Sequence, residues 1–351
     1  MSIYRFAKPS DLPGLLAYLA KDNRVLVPVA RPAVKKSVVF SEWKPGTEFT
    51  LDKATVPAKD AVLPRCETLV RYEKVRDEEH PDLFKLQLDD TPEAQPTVVF
   101  ACRSCDARGY ATLDRPYLKG PFKDPYYEAH RTGLTVITLT CNSGCSTCFC
   151  HWVGAGPSSP EGSDILMTEV ADGFVLQSVT DKGQAVLEQS ALKPCTPEKE
   201  QEMTETRKKA WQTLGEKPDL TLAPDKVLGR FKDTAFWEKA SERCLSCGAC
   251  TYFCPSCYCF NITDEGSGMG QPGRRIRTWD NCMSYLFTRE ASGYNPRPAK
   301  SDRMRQRVTH KFATYPENWG AFSCMGCGRC ITNCPAHIDI RSIVLDAMAD
   351  E

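Results

Sequence analysis

Two stretches of the sequence, CLSCGACTYFCP from Cys244 to Pro255 and CMGCGRCITNCP from Cys324 to Pro335, share one spacing. In each stretch two residues separate the first three cysteines, three more residues precede a fourth cysteine, and a proline follows. Small residues between the cysteines let the backbone turn tightly, and the proline ends the turn because it has no amide hydrogen. We call these stretches the first and second cysteine runs, and we expect each to wrap around an inorganic group.

The spacing is that of bacterial two-cluster ferredoxins, in which three thiolates of one run and the fourth of the other hold each [4Fe-4S] cubane. This rule assigns one cluster to Cys244, Cys247, Cys250 and Cys334. It assigns the other cluster to Cys324, Cys327, Cys330 and Cys254. Zinc is the alternative, but a zinc ribbon uses two C-x2-C pairs and leaves the remaining cysteines and the prolines unexplained.

Composition narrows the class of protein. The chain has 351 residues, which suggests about two domains, and 19 cysteines. No secretory signal peptide is visible at the N terminus, and no apolar run is long enough to span a membrane. Dense cysteine without a secretion signal favours metal binding over disulfides, so we expect a cytoplasmic protein.

The charges balance overall but not locally. Lysine plus arginine and aspartate plus glutamate number 45 each, yet basic residues are concentrated between Gln271 and Lys311. Because this stretch lies between two anionic clusters, we expect it to compensate charge and to dock a partner, rather than to bind nucleic acid. Arg274, Arg275 and Arg277 are the candidates for docking an acidic partner face.

The pattern of apolar residues predicts an α+β protein. We expect an N-terminal α/β cysteine-rich domain over residues 1–195, a helix and linker over 196–232, and a mostly helical two-cluster ferredoxin-like domain over 233–351. About 70 residues separate the two runs, more than a compact ferredoxin uses. We therefore predict a helical insertion there, including a helix from Asp280 to Ser292.

A third site is predicted in the N-terminal domain. The apolar strand Thr97–Ala101 leads into one cysteine-rich loop, and the apolar strand Leu134–Thr140 leads into another. Strand ends converge in an open α/β sheet, so the two loops should form one site. Its thiols are Cys102, Cys105, Cys141, Cys145, Cys148 and Cys150. Six thiols are too many for incidental buried cysteines, and we favour another cluster over an all-thiolate zinc site.

Several motifs together resemble one protein family. They are Arg103-Ser104-Cys105-Asp106, Thr147-Cys148-Phe149-Cys150, Cys254-Pro255-Ser256-Cys257-Tyr258-Cys259-Phe260 and Trp279-Asp280-Asn281-Cys282-Met283. The family comprises iron-sulfur electron-transfer subunits. It includes the cytoplasmic sulfhydrogenase beta subunit, the A subunit of anaerobic sulfite reductase, and subunits of flavin oxidoreductases that serve heterodisulfide reductase. The resemblance covers about residues 60 to 350.

The resemblance implies a ligand set for the third site. Cys105, Cys141, Cys148 and Cys150 occupy the family positions and are the expected ligands of a third [4Fe-4S] cluster. Two other thiols, Cys102 and Cys145, look like additions, and either could replace Cys141 or Cys105. The remaining matches, Cys257, Cys259 and Cys282, have no cluster of their own by spacing. We expect them to pack around the clusters or to donate S–H hydrogen bonds that tune potential.

The resemblance also implies a role. Such a subunit relays electrons between a flavin-containing, NAD(P)H-binding partner and a terminal subunit, which is a hydrogenase, a sulfite reductase or a heterodisulfide reductase-like unit. The chain has no G-x-G-x-x-G fingerprint, so dinucleotide binding is assigned to a partner. Two alternatives stay open: catalysis on a sulfur substrate at a cluster or cysteine, and a zinc-stabilised interaction scaffold.

Overall fold

The computed structural model describes residues 2–31, 37–80, 82–266 and 271–349. Within these ranges the chain forms twelve β-strands in two sheets, and twelve α-helices. No helix in the described ranges is both long enough and apolar enough to cross a membrane.

The elements follow in chain order. The strands are β1 Tyr4–Ala7, β2 Arg24–Arg31, β3 Ser37–Glu42, β4 Cys66–Arg76, β5 Phe84–Asp89, β6 Thr97–Arg103, β7 Leu134–Leu139, β8 Ile165–Val170, β9 Gly173–Ser178, β10 Lys193–Pro194, β11 Phe260–Gly266 and β12 Gly273–Trp279. The helices are α1 Leu12–Leu19, α2 Ser104–Leu118, α3 Pro125–Thr132, α4 Asp181–Gln189, α5 Pro197–Gln212, α6 Ala223–Gly229, α7 Thr234–Ser241, α8 Ala249–Tyr252, α9 Lys300–Thr309, α10 Tyr315–Trp319, α11 Arg329–Thr332 and α12 Ile340–Met348.

The larger sheet has eight strands in the order β10-β1-β9-β8-β7-β6-β2-β3. Its central strands β2, β6, β7 and β8 are parallel, and antiparallel strands flank them. β6 and β7 are apolar along most of their length because helices and loops cover both faces of the sheet. They are adjacent and parallel, so their carboxyl ends deliver the two cysteine-rich loops to one edge of the sheet.

The smaller sheet joins distant parts of the chain. Its order is β11-β12-β4-β5, with every neighbouring pair antiparallel. In the register of β12 with β4, Gly273 lies opposite Tyr72 and Thr278 lies opposite Cys66. Part of the insertion between the two cysteine runs is therefore a β-hairpin that pairs with an N-terminal strand.

This hairpin corrects the prediction of a purely helical insertion. The predicted helix from Asp280 to Ser292 is also wrong, since that segment contains only a 3-10 turn at Tyr285–Thr288. The Ser284 hydroxyl caps this turn by accepting a hydrogen bond from the Leu286 amide, and the turn ends at Arg289, which is in an extended conformation. Side-chain capping of this kind favours turns over helix interiors.

The C-terminal helices surround a second core. The apolar pattern from Asp233 onward also predicts helices at Phe236–Arg243, Ser301–Ala313 and Ile338–Met348. The structure has α7, α9 and α12 at these places, and α9 continues as π-helix over His310–Thr314. Trp237 and Phe312 are among the largest fully buried side chains of this core. Part of the segment expected as a linker forms α6, whose Ala223 and Val227 are buried in the same core. The module is thus a mixture of short helices and a hairpin.

Candidate metal centres

The two cysteine runs have the same local conformation. Gly248 and Gly328 are left-handed, with φ of 76° and 73°, and each precedes a four-residue helix, α8 or α11. Ser246 and Gly326, the third residues of the runs, are also left-handed, with φ of 54° and 59°. Glycine adopts this conformation without a steric cost, which explains three of the four positions.

These turns direct amides at sulfur. The Ser246 amide lies 3.4 Å from Cys244 Sγ, and the Gly326 amide lies 3.4 Å from Cys324 Sγ. Amide donors at this position offset the negative charge of thiolates and sulfides. The spacing therefore produces the backbone cradle that it predicts.

The first predicted ligand set surrounds one cavity. Cys244, Cys247, Cys250 and Cys334 all line it, so the structure brings three cysteines of the first run together with the fourth of the second run. The remaining wall is largely apolar and includes Met283, Met304, Ile340 and Ile343. Cys247 is exposed, whereas the other three cysteines are partly buried, so the set lies at the protein surface with an apolar wall behind it.

The second predicted set is also gathered. Cys254, Cys324 and Cys327 are each less than a tenth exposed. Burial raises the pKa of Cys330 well above its usual range, and the nearby Cys327, Cys324 and Cys254 raise it further. Burial likewise raises the pKa of Cys324 to about 11. Each of the two sets therefore draws on both runs, as the ferredoxin rule predicts.

Buried cations lie beside these thiols. Lys311 Nζ is 3.4 Å from Cys254 Sγ and 2.9 Å from the Ser323 carbonyl oxygen. Burial opposes the charge on Lys311, but Cys254 and Cys257 raise its pKa above the usual range. Arg307 Nη1 donates to Cys257 Sγ at 3.3 Å. Both cations belong to the basic stretch, and both face sulfur rather than solvent.

One part of the docking prediction needs correction. Arg277 is buried, because its guanidinium forms ion pairs with Glu67 and Asp124, and it is not available to a partner. Arg274 and Arg275 are exposed on β12 and pair with acidic residues of β11. Only these two of the three predicted arginines remain accessible.

The third predicted set surrounds a cavity of about 310 Å³ at the carboxyl ends of β6 and β7. Six cysteines line it: Cys327 of the second run, and Cys105, Cys141, Cys145, Cys148 and Cys150 of the predicted third site. Burial, followed by the neighbouring Cys141, raises the pKa of Cys150 to about 11. Cys102 does not line the cavity, since its Sγ lies in the core, 3.7 Å from Thr138 Oγ1.

Two of these cysteines are bonded to each other. Cys145 and Cys148 form a disulfide, whereas the prediction has Cys148 as a thiolate ligand. Two cysteines three positions apart in the sequence can either form a disulfide or bind a metal, and only the reduced pair can bind iron. In the disulfide state, Cys105, Cys141 and Cys150 are the free thiols among the cysteines of the predicted third site that line this cavity.

The third cavity adjoins the second cysteine run. The Phe149 amide donates to the Gly326 carbonyl at 2.7 Å, and Cys327 lines the cavity. The neighbouring Cys105 lowers the pKa of Cys327 to about 6. A Cβ added to Gly326 would lie 2.5 Å from the Cys150 backbone. The third site and the second ligand set are therefore in direct contact.

Sequence reasoning missed the cations at this junction. Arg329 forms an ion pair with Asp106 at 2.7 Å, both side chains being 2% exposed, and donates to the Ala54 carbonyl at 2.8 Å. Lys53 Nζ donates to Cys148 Sγ at 3.4 Å. Arg329 lies inside the second run, so its place could have been inferred, whereas nothing near Lys53 in the sequence indicates a thiol partner.

Asp106 also corrects a helix boundary. The sequence predicts a helix opened by Asp106, but α2 begins two residues earlier, at Ser104. Asp106 lies in the first turn and accepts a hydrogen bond from the Arg103 amide at 3.1 Å. One carboxylate thus caps the helix that carries Cys105 and pairs with Arg329 of the second run.

The other cysteines fall into two groups. Cys257, Cys259 and Cys282 line a separate cavity beside Arg307 and Lys311. Cys66 is exposed on β4, and Cys195 is partly exposed after β10. Among the described residues, no group of three or more His, Cys, Asp or Glu side chains is placed to hold a single metal ion.

The three thiol groups fit iron-sulfur clusters in donor type, since each offers soft sulfur ligands, and the first two combine them with amide donors. They define the class of an iron-sulfur protein. Comparison with known proteins agrees: residues 243–338 match the model of the 4Fe-4S dicluster domain family.

A curated relative extends the match beyond that domain. The chain is 32% identical over 265 residues to "Sulfhydrogenase 2 subunit beta" of Pyrococcus furiosus, covering 73% of this chain and 76% of the relative. The chain therefore belongs to the iron-sulfur electron-transfer subunit family that contains this sulfhydrogenase beta subunit, as its motifs predict. No solved structure matches the chain.

Proposed function

We propose that this chain holds three [4Fe-4S] clusters and relays electrons from a flavin-containing, NAD(P)H-binding subunit to a terminal redox subunit. The terminal subunit is a hydrogenase, a sulfite reductase or a heterodisulfide reductase-like unit. The observation that carries the proposal is the contact between the third cavity and the second cysteine run, through Cys105 and Cys327. In this proposal Cys334 of the second run belongs to the first ligand set, and Cys254 of the first run belongs to the second set. The first set therefore adjoins the second, and the second adjoins the third, so the three sites form a continuous series.

We propose the ligand sets that the motifs imply. They are Cys244, Cys247, Cys250 and Cys334; then Cys324, Cys327, Cys330 and Cys254; and, for the third cluster, Cys105, Cys141, Cys148 and Cys150. The last set requires the bond between Cys145 and Cys148 to be reduced. When bound, such clusters accept and release single electrons.

The residues of this chain determine how readily each site accepts an electron. Apolar walls around the first set favour the less charged state of a bound cluster. Lys311, Arg329 and Lys53 are cations within hydrogen-bond reach of ligand sulfurs, and each favours the more negative, reduced state. The second and third sites have direct cationic neighbours, so we expect the relay to reach its highest potential there.

Partner subunits follow from the family. The relative is named as one subunit of a sulfhydrogenase, which supports an assembly of several subunits for this chain as well. The exposed Arg274 and Arg275 remain candidates for docking an acidic partner face. Reversing both charges should weaken assembly in a salt-dependent manner without changing iron content, and unchanged assembly would exclude this surface.

The test is metal and sulfide analysis of protein purified without oxygen. We expect about 12 iron and 12 sulfide per chain, with no zinc. Cys141→Ser and Cys150→Ser should each lose about four of both, whereas Cys102→Ser should lose none. About eight iron in the wild-type protein, or zinc at the third site, would contradict a three-cluster relay.

A second pair of variants settles the ligand that the disulfide leaves open. Cys148→Ser should lose about four iron, while Cys145→Ser should retain all of it. The opposite pattern would transfer the ligand role to Cys145. Iron loss in neither variant would exclude both cysteines as ligands.

A further inference from the structure

A cavity of about 310 Å³ lies outside the three thiol groups assigned above. We call it the dithiol cavity. Its lining includes Cys257, Cys259, Cys282, Arg307, His310 and Lys311. Cys257, Cys259 and Cys282 belong neither to the eight cysteines assigned to the two runs nor to the third site, so none of them is a proposed cluster ligand.

Two of the three cysteines are paired. Cys259 and Cys282 line the same cavity and are near neighbours, since Cys282 raises the pKa of the Cys259 thiol. The hairpin explains this approach. Phe260 of β11 lies opposite Trp279 of β12, and Cys259 immediately precedes β11 while Cys282 follows shortly after β12, so both lie at the same end of the strand pair. The Asp280 amide also donates to the Cys259 carbonyl at 2.9 Å. The backbone therefore holds the two sulfurs close together.

The pair lies between the first two ligand sets. Cys282 is close enough to Cys250, a ligand of the first set, to raise its pKa, although burial is the larger cause. On the other side, the adjoining Cys257 lowers the pKa of Cys254, a proposed ligand of the second set. Arg307 connects both sides, since it donates to the Cys250 carbonyl and to Cys257 Sγ.

We propose that Cys259 and Cys282 form a redox-active dithiol/disulfide pair, which stores two electrons beside the first two cluster sites and is accessible from the dithiol cavity to small dithiols and disulfides. On oxidation the two S–H bonds break and one S–S bond forms. Two protons pass to water in the cavity. Two electrons leave, one at a time, to one-electron iron-sulfur acceptors. The inference rests on the proposed function, since those acceptors are its clusters.

The cavity supports this assignment. It has room for a small dithiol, and its other side chains include His310, hydrogen-bonded to Tyr258 at 3.3 Å. Arg307 and Lys311 also line this cavity, and their positive charge favours the thiolate needed for disulfide exchange. A pair with these neighbours converts a two-electron input into two single-electron transfers.

The test uses the full-length protein purified without oxygen, with its iron counted first. Samples are equilibrated in mixtures of oxidised and reduced dithiothreitol, alkylated, digested and analysed by mass spectrometry. We expect a peptide linked through Cys259 and Cys282, rising from one tenth to nine tenths of the total over roughly a hundredfold change in the dithiothreitol ratio, as for a two-electron couple.

Variants separate this role from metal binding. Cys259→Ser and Cys282→Ser should each abolish the linked peptide and retain wild-type iron, sulfide and zinc content. The matched control Cys66→Ser, an exposed cysteine outside the cavity, should leave the transition unchanged. Loss of about four iron from either cavity variant would make these cysteines cluster ligands and overturn the proposal.

Two further outcomes are decisive. Complete alkylation of both thiols at every dithiothreitol ratio, in protein with full iron content, would overturn the redox pair while leaving the relay intact. Wild-type protein without iron would instead overturn the relay and, with it, the one-electron acceptors that the pair requires.

Discussion

Replacing Arg329 by methionine tests whether the second cysteine run and the third site are held together by charge. Arg329 and Asp106 pair at 2.7 Å with side chains that are each 2% exposed. Arg329→Met would leave the Asp106 carboxylate buried with only the Arg103 amide as a hydrogen-bond donor. Removing one partner of a buried ion pair costs about 3–5 kcal/mol.

This cost converts into a melting temperature. Unfolding entropy is about 2.1 cal/mol/K per residue near 60 °C, which gives about 0.7 kcal/mol/K for 351 residues. Arg329→Met should therefore lower the melting temperature by about 4–7 °C. Asp106→Asn should lower it less, because Cys327, whose pKa is lowered, remains as an anionic neighbour of Arg329.

The double variant sharpens the test. With Arg329→Met and Asp106→Asn together, no uncompensated charge remains, and the asparagine side chain can still accept a hydrogen bond from the Arg103 amide. We expect its loss to be clearly smaller than the sum of the two single losses. Such a double-mutant cycle isolates the interaction between the two side chains.

Scanning calorimetry without oxygen, with iron counted in each sample, provides the measurement. The control is Arg275→Met, whose pair with Asp264 at 2.8 Å is about half exposed and should contribute no more than about 1 kcal/mol. A melting temperature for Arg329→Met as close to wild type as that of the control would refute the reasoning. Additive losses in the double variant would refute it too.

Two further predictions concern the same framework. Gly326→Ala should lose iron from the third site and melt several degrees lower, because its Cβ would lie 2.5 Å from the Cys150 backbone; Gly46→Ala, left-handed but in open space, should show only about 1–3 kcal/mol of strain and keep its iron. Wild-type iron content in Gly326→Ala would contradict the close contact between Gly326 and the Cys150 backbone. Glu67→Gln should lower the melting temperature by about 2–4 °C, because it weakens a charged hydrogen bond to buried Arg277 worth about 1.5–3 kcal/mol. Calorimetry decides this, and an unchanged transition would show that the ion pair does not hold the small sheet in place.

The sequence predicts best what is encoded locally. Each cysteine run specifies its turn within twelve residues, through glycines at left-handed positions and a closing proline, so the grouping of Cys334 with the first run follows from spacing alone. β6 and β7 are equally clear, since a strand covered on both faces must be apolar throughout. The end of each such strand then indicates where Cys105 and Cys141 meet.

Long-range pairing is what the sequence conceals. β11 is exposed along its whole length, and its apolar residues alternate only from Phe260 to Ile262, which is too short a pattern to indicate a strand. Its sheet depends on β4, about 200 residues earlier in the chain. The burial of Arg277 depends in turn on Glu67 of that strand, which is why a residue expected at a docking surface lies inside the protein. The sequence does not reveal the disulfide between Cys145 and Cys148, because two cysteines at this spacing can either bind a metal or form a disulfide.

The small four-stranded sheet also has a consequence for how the protein is made. β4 has left the ribosome long before β12 exists, and at about 5–20 residues per second the missing 200 residues take about 10–40 s to synthesise. During that time one long edge of β4 has no partner, and unpaired edges promote aggregation. Iron delivered in this interval would meet the third-site loop before the second run that supports it. Cluster insertion should therefore follow release of the chain, and a truncated protein ending before Gly273 should be poorly folded in both halves.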